Sequence, residues 1–196
     1  MEKQQKRRSN KTQFIFNEEK LKYSFKDKSG GHSFDIHYGA IPNDSFEFEE
    51  RNVWYRNLGA IWSLLGLFII VSRYMETGVL RGSLWFTLGI ICFIVYWFSE
   101  VSYKVINTEK GRIFVIKDKI HDEILDEIFT RKKEQLLSRY GEINYLNDPN
   151  SEANKFMWLL QEDAITRNEF EEIMKKLQTH HIMEQHSYEE EGKKIN

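Results

Sequence analysis

The residue types best suited to catalysis or metal binding are six histidines and one cysteine. His180, His181 and His186 lie together in the segment HHIMEQH near the C-terminus. Metal ligation needs imidazoles that converge on one point, and neither adjacent positions nor the spacing from His181 to His186 places two of them on one helix face. We interpret this cluster as part of a solvated polar tail over residues 179–196, and we predict no metal site.

Acidic and nucleophilic side chains give no catalytic arrangement either. Four carboxylates recur within residues 122–127, and a solvated helix face with one ion pair from Glu127 to Arg131 explains them. Cys92 lies inside an apolar run, where a thiol is inert. No Ser or Cys lies in a nucleophile-elbow context. We therefore predict no catalytic residues, no cofactor and no small-molecule substrate.

The charge balance argues against nucleic acid as a partner. The 28 Lys and Arg residues against 30 Asp and Glu give a net charge of −2, whereas a nucleic-acid binder is usually strongly basic. Basic residues nevertheless concentrate in residues 1–11, which we predict to be a disordered tail. They are candidate contacts to anionic lipid head groups, each contributing about 1 kcal/mol near a charged surface: Lys3, Lys6, Arg7, Arg8 and Lys11.

Two stretches without Lys, Arg, Asp or Glu stand out despite a negative mean hydropathy for the chain. They cover residues 57–72 and 82–99, and as helices they would rise roughly 24–27 Å, a little less than the ~30 Å hydrocarbon core. Trp54, Tyr55 and Trp97 flank them and are candidate lipid contacts at the interfaces. The sequence therefore predicts a transmembrane hairpin over residues 53–100.

The flanks of this hairpin predict its orientation. The N-terminal part carries no apolar run of signal-peptide length, and basic residues are more numerous outside the two stretches than in the short turn between them. We expect a multi-pass protein of the bacterial inner membrane with both termini in the cytoplasm. Small residues would let the two helices pack closely: Gly59, Ser63, Gly66, Gly82 and Gly89.

Alternating apolar residues on both sides of the hairpin predict β-strands. Residues 12–52 alternate around Gly30-Gly31, which is typical of an antiparallel β-hairpin. Residues 101–141 predict a second β-hairpin and a helix that ends near Gly141. Because a lone β-hairpin is only marginally stable in water, we expect strands from both flanks to join in one sheet or small barrel. The predicted fold class is α+β, with the helix closing the sheet.

This order of elements resembles the bacterial PH-like (pleckstrin-homology-like) domains of small membrane proteins, which are antiparallel strands ending in one amphipathic helix. The resemblance covers roughly residues 12–141, interrupted by the apolar hairpin. It rests on element order and not on a motif. A linker over residues 142–150 follows.

Residues 151–178 predict a small helical pair. Thr166 and Glu169 fit a capping box, so we expect a helix to begin at Thr166. Ile165-Thr166, Glu169-Phe170 and Lys175-Lys176-Leu177 resemble the SHOCT module (short C-terminal domain), although Glu162-Asp163-Ala164 stands where that module usually has a glycine. The resemblance implies oligomerisation or protein contacts. Candidate partner contacts are the apolar residues Phe156, Trp158, Leu159, Phe170 and Met174.

These features favour a non-catalytic protein anchored in the inner membrane that presents its PH-like and SHOCT-like parts to a protein partner or to a second copy of itself. Bacterial proteins of this shape include regulators, assembly factors and immunity proteins, and the sequence does not choose among them. The alternative is an anionic-lipid-sensing module, in which the basic tail and the PH-like surface bind anionic lipid head groups.

Overall fold

The computed structural model describes the backbone of residues 1–194 and the side chains of residues 1–183. Within that range the chain has a four-stranded and a three-stranded antiparallel sheet and five α-helices. The α+β class predicted from the sequence is therefore confirmed. The chain forms two compact units, one from residues 1–46 and 105–196 and the other from residues 47–104.

The first sheet contains four consecutive strands: β1 Glu2–Arg7, β2 Asn10–Phe16, β3 Lys20–Lys26 and β4 Gly31–His37. They pair in chain order, each antiparallel to the next. Alternate residues of β2 and β3 point inward, and Phe14, Leu21 and Tyr23 are fully buried. This is the period-two pattern of a sheet with one buried face.

The first residues of the chain form regular structure, which corrects the prediction of a disordered tail over residues 1–11. They form β1 and the start of β2, joined by a turn in which Arg8 has a left-handed backbone with φ 57°. The inward side chains of this strand pair include Gln5 and Thr12, which are buried but polar. The apolar alternation that reveals a strand in a sequence is therefore missing here.

The second sheet contains β5 Ser45–Glu50, β6 Val101–Thr108 and β7 Gly111–Ile116, in that order. β6 and β7 are the second β-hairpin expected from the sequence. In the described chain, strands from the two flanks of the apolar helices pair only where β5 lies beside β6. The expected single sheet or barrel is thus replaced by two sheets.

The outer edge of β7 is bonded to side chains. The Tyr23 hydroxyl accepts a hydrogen bond from the Phe114 N–H at 2.9 Å. The Gln5 amide accepts one from the Ile116 N–H at 2.9 Å and donates one to the Ile116 carbonyl at 2.7 Å. An unpaired buried backbone group costs free energy. These two side chains supply the hydrogen bonds that a neighbouring strand would otherwise supply to β7.

The helix α3, His121–Tyr140, covers the apolar core of the first unit. Ile124 and Ile128 on one face of α3 are fully buried there. This stripe is the apolar face of the amphipathic helix expected after the second β-hairpin. The strands contribute to the same core Phe14, Leu21, Tyr23, Ile36, Ile106, Ile113 and Val115.

Two further helices, α4 Pro149–Gln161 and α5 Arg167–Lys194, form the helical pair expected near the C-terminus. The capping box is present, since the Glu169 carboxylate accepts the Thr166 N–H at 2.6 Å and the Thr166 hydroxyl accepts the Glu169 N–H at 3.3 Å. α5 runs on to Lys194, so the polar segment 179–196 continues this helix up to that residue.

Aspartate takes the glycine-like conformation in the turn between α4 and α5. Asp163 has a left-handed backbone with φ 56°. The Ala164 N–H bonds to the Leu159 carbonyl at 2.9 Å, and the Asp163 N–H bonds to the Leu160 carbonyl at 3.1 Å. This is the hydrogen-bond pattern of a Schellman motif. Since aspartate is among the few non-glycine residues that tolerate this conformation, the missing glycine leaves the turn intact.

The second unit contains two apolar helices of unequal length, α1 Val53–Thr77 and α2 Leu84–Trp97. By length and composition α1, with 25 residues, is the one described helix that could cross a membrane. α2 has 14 residues and is shorter than the apolar stretch 82–99. Gly78 ends α1 with φ 68°, and residues 79–83 are not helical.

Small residues form the contact between α1 and α2. A methyl group added at Gly66 would overlap the backbone of Phe86, and one added at Gly89 would overlap Ser63. Gly59 lies against the Gly89 carbonyl. Gly82 has open space around it, so the expectation that it helps the helices to approach is wrong.

Candidate functional site

The basic residues near the N-terminus divide between two environments. The Lys3 side chain is only 10% exposed, and its Nζ lies 2.9 Å from Glu123 Oε1. This ion pair holds Lys3 inside the first unit, which corrects its assignment as a lipid contact. The other candidates are exposed: Lys6, Arg7, Arg8 and Lys11.

Three exposed lysines stand directly opposite one another across the first sheet. Lys6 of β1 pairs in register with Lys11 of β2, which pairs in register with Lys26 of β3. Directly opposed residues point to the same face, and like charges in such positions are destabilising. The next row on that face is uncharged and polar, so this face offers amino groups beside amide and hydroxyl groups: Gln4, Gln13, Ser24 and Ser33.

The turns at the same end of this sheet extend the positive surface. Arg7 and Arg8 lie at the β1–β2 turn, and Lys28 lies at the β3–β4 turn. The one acidic residue there, Asp27, accepts hydrogen bonds from the Ser29 side chain and N–H, both at 2.7 Å. These bonds lower the pKa of Asp27. Its carboxylate is therefore ionised, and it accepts the hydrogen bonds that hold the turn.

The five candidate partner contacts lie mostly inside the helical pair. Phe156 and Leu159 are fully buried, and Trp158, Phe170 and Met174 are half-buried against the same cluster. Phe156 and Leu159 have no surface to offer a partner, so their assignment is corrected. The reason is that Leu136, near the end of α3, packs on this pair and completes its core.

An aromatic surface remains exposed where α4 of the helical pair meets the end of α3. Trp158 packs edge-on against Tyr140, with ring centroids 5.3 Å apart. Tyr140 is 42% exposed, and the neighbouring Met157 is 43% exposed. Trp158 is thus the candidate from the sequence that keeps accessible surface next to further exposed apolar area.

A buried lysine joins α3 to the turn between α4 and α5. Lys132 is 2% exposed, and its Nζ donates to Asn43 Oδ1 at 2.6 Å and to Glu162 Oε2 at 2.7 Å. Asn43 in turn donates to Asp163 Oδ2 at 3.1 Å. Sequence reasoning missed this network, although the break of the apolar stripe of α3 at Lys132 was its visible signal.

The candidate lipid contacts of the second unit are mostly exposed. Trp54 is 62% exposed and Trp97 is 71% exposed, while Tyr55 is half-buried. The Arg51 guanidinium lies 2.6 Å from Glu100 Oε2 and 5.9 Å from the centre of the Trp97 ring. Aromatic rings beside charged groups are typical of a membrane interface, so lipid contact stays a prediction for these three residues.

Metal-binding geometry is absent from the part of the chain that the structure describes. No group of three His, Cys, Asp or Glu side chains there could hold an ion. His180 stacks on the Tyr145 ring with centroids 4.4 Å apart, and the His186 side chain lies outside the described residues.

No protein-family model, curated protein or solved structure matches this chain. The PH-like and SHOCT-like resemblances therefore stay predictions. The features of the described chain that bear on function are the apolar hairpin, the basic sheet face and the helical pair.

The Lys132 network predicts a large difference between two adjacent lysines. Lys132→Met leaves Glu162 and Asn43 without their buried partner, and we expect the free energy of unfolding to fall by about 2–4 kcal/mol. Lys133→Met alters an exposed residue, and we expect a change within about 0.5 kcal/mol. Urea unfolding of the full chain in mild detergent, followed by tryptophan fluorescence, measures both. Equal losses in the two variants would remove the structural role of Lys132.

Proposed function

We propose that this chain is a non-catalytic protein-interaction or regulatory protein, anchored in the bacterial inner membrane by its hairpin, with PH-like and SHOCT-like parts and both termini in the cytoplasm. The support comes first from the surface of α1. Only 11% of its most apolar 18-residue window is buried, whereas the core helix of a soluble protein is mostly buried. Exposed apolar side chains on this scale mark a membrane or protein contact.

The observation that carries the proposal is the way the two ends of the hairpin are held together. β5 leads into α1, β6 leads out of α2, and the two strands are neighbours in one sheet. The Asn52 N–H donates to Ser99 Oγ at 3.0 Å, and Arg51 pairs with Glu100 at 2.6 Å. Ends held side by side lie on the same side of a membrane, so the chain crosses an even number of times.

An even number of crossings supports the return of the chain through residues 82–99. α2 is shorter than a usual span, and the uncharged residues Gly82, Ser83, Phe98 and Ser99 at its two ends are suited to the two membrane interfaces. Exposed apolar side chains on α2 are also suited to lipid, with Leu84 at 72% and Ile94 at 50% exposure. The proposed topology is thus two crossings with a short turn on the far side.

The proposed partner surface is Trp158 with Tyr140 and Met157. Tryptophan and tyrosine are the residue types most often found at the energetic centre of protein interfaces. A second copy of the chain is the simplest partner, because the SHOCT-like resemblance implies oligomerisation. A different protein partner would use the same surface.

Chemical cross-linking in membranes tests this proposal, followed by purification of the full chain in mild detergent. We expect a stoichiometric partner or a cross-linked dimer, reduced at least tenfold by Trp158→Ala, because truncating a hot spot typically removes about 2 kcal/mol or more. Leu146→Ala, at a residue that is 96% exposed on the loop before α4, is the matched control and should leave the yield unchanged. Recovery of neither a partner nor a dimer from the wild type would contradict the proposal.

The second candidate function, sensing of anionic lipids, is favoured by the opposed lysines of the first sheet. Lys6, Lys11 and Lys26 raise the free energy of the fold where they stand, and a phosphate bound across them would offset that repulsion. Such an interaction weakens as salt screens the charges.

Calorimetric titration of the detergent-solubilised full chain with short-chain phosphatidylglycerol tests this second function. We expect the affinity for phosphatidylglycerol to decrease with added salt. We also expect it to fall at least threefold in Lys11→Gln, because Lys11 is the central lysine of the row. Lys133→Gln removes an equal charge on α3 and should keep the wild-type affinity. Equal affinity for phosphatidylcholine would rule the lipid-sensing function out.

A further inference from the structure

The thickness of bilayer that the hairpin fits can be measured along its two helices. α1 has 25 residues and α2 has 14, which correspond to rises of roughly 37 and 21 Å. The shorter helix limits the length over which both are present. The charged residues at either end of the uncharged stretches give a second and independent measure.

The register between the two helices is fixed by backbone contact. Gly66 lies against the backbone of Phe86, and Gly89 lies against Ser63, in each case too closely for a methyl group. Sliding α2 along α1 would bring larger side chains into these positions. Continuing the register by two residues places Leu84, the first residue of α2, beside α1 near residue 68.

The start of α2 has to lie where water can reach it. Ser83 is buried, precedes the helix with an extended backbone and makes no side-chain cap hydrogen bond. Residues 79–82 before it are exposed and not helical. Free N–H groups of a first turn and non-helical backbone are excluded from lipid-facing hydrocarbon. The apolar slab along α2 therefore runs from Leu84 to Trp97, roughly 21 Å.

The charges on α1 give a similar thickness. Arg56 and Arg73 bound the uncharged residues 57–72, whose helical rise is roughly 24 Å. Glu76 and Arg81 lie beyond Arg73 in the chain and add to the charge at that end. The uncharged part of α1 and the whole of α2 thus fall short of the ~30 Å core of a typical bilayer, by roughly a fifth and roughly a third.

We infer that the hairpin is fitted to an unusually thin bilayer and binds lipids with short acyl chains in preference to long ones. This rests on the proposed crossing of the membrane by the hairpin. A hydrophobic length shorter than the surrounding bilayer forces local thinning or stretching of side chains toward the interface, each at a free-energy cost that grows with the mismatch. Short-chain lipids remove that cost.

Competition between lipids of different chain length tests the inference on the full chain. The variant Trp158→Phe leaves the four tryptophans of the hairpin unit as reporters, Trp54, Trp62, Trp85 and Trp97. It is reconstituted in vesicles in which phosphatidylcholine with brominated 18-carbon chains competes with unbrominated 14-, 18- or 22-carbon lipid. We expect the relative binding constant for the 14-carbon lipid to exceed that for the 22-carbon lipid by about three- to tenfold.

Two variants separate hydrophobic length from other effects. Arg73→Leu with Arg81→Leu removes one charge from the end of α1 and one from the turn, which extends the uncharged stretches to residues 57–75 and 77–99, so the preferred chain length should increase. Arg112→Leu changes an exposed arginine of β7 and should leave the order of lipids unchanged. An unchanged preference in the double variant would overturn the inference, as would equal binding of all three lipids by the wild type.

A flotation experiment distinguishes failure of the thin-bilayer inference from failure of the proposed membrane anchor. Vesicles are floated after washing with alkaline carbonate, which removes proteins that are not inserted. Protein recovered with the vesicles but without chain-length preference overturns only the thin-bilayer inference. Protein removed by the wash from every vesicle overturns the proposed membrane anchor and the inference together.

Discussion

The arrangement on which the rest of this account depends is the joining of the two ends of the apolar hairpin. β5 and β6 lie side by side, and two contacts, Arg51 with Glu100 and Asn52 with Ser99, hold the chain at the points where it enters α1 and leaves α2. Given this closure, a single crossing would require breaking a sheet. The exposed apolar surface of the hairpin, its small-residue contact and its short length are each consistent with the proposed insertion of the helical pair in lipid.

The first unit is built by a different balance of forces. Its sheet buries a large aromatic and aliphatic core under α3, but the connections at its margins are polar. Gln5 and Tyr23 bond the edge of β7, and Lys132 ties α3 to the turn after α4. Hydrogen bonds of this kind contribute little net stability, but removing one partner leaves a buried polar group unpaired at a high free-energy cost. They therefore fix the positions of β7 and α3 relative to the elements they contact. The binding surfaces that we propose are the lysine face and the aromatic surface around Trp158.

Much of the fold could be predicted because apolar residues repeat with the period of the structure they form. The β6–β7 hairpin, α3 and the capped start of α5 follow directly from such patterns. β1 could not be found in this way, because its inward face carries Lys3 and Gln5 and its exposed face carries Gln4 and Lys6, which together look like a disordered tail. The burial of Phe156 and Leu159 was also hidden, since a sequence gives an apolar stripe but not the element, here the end of α3, that covers it.

The most direct test of the central claim is the number of times the chain crosses the membrane. Cys92 is replaced by Ala, and single cysteines are placed at Thr77 at the turn end of α1, at Ser9 between β1 and β2, and at Ser151 in α4. Intact cells with a permeabilised outer membrane are treated with a maleimide that cannot cross the inner membrane. The account predicts labelling of the turn cysteine in intact cells, and of the other two only after lysis. Labelling of Ser9→Cys and Ser151→Cys on opposite sides, or protection of the turn until lysis, would contradict it.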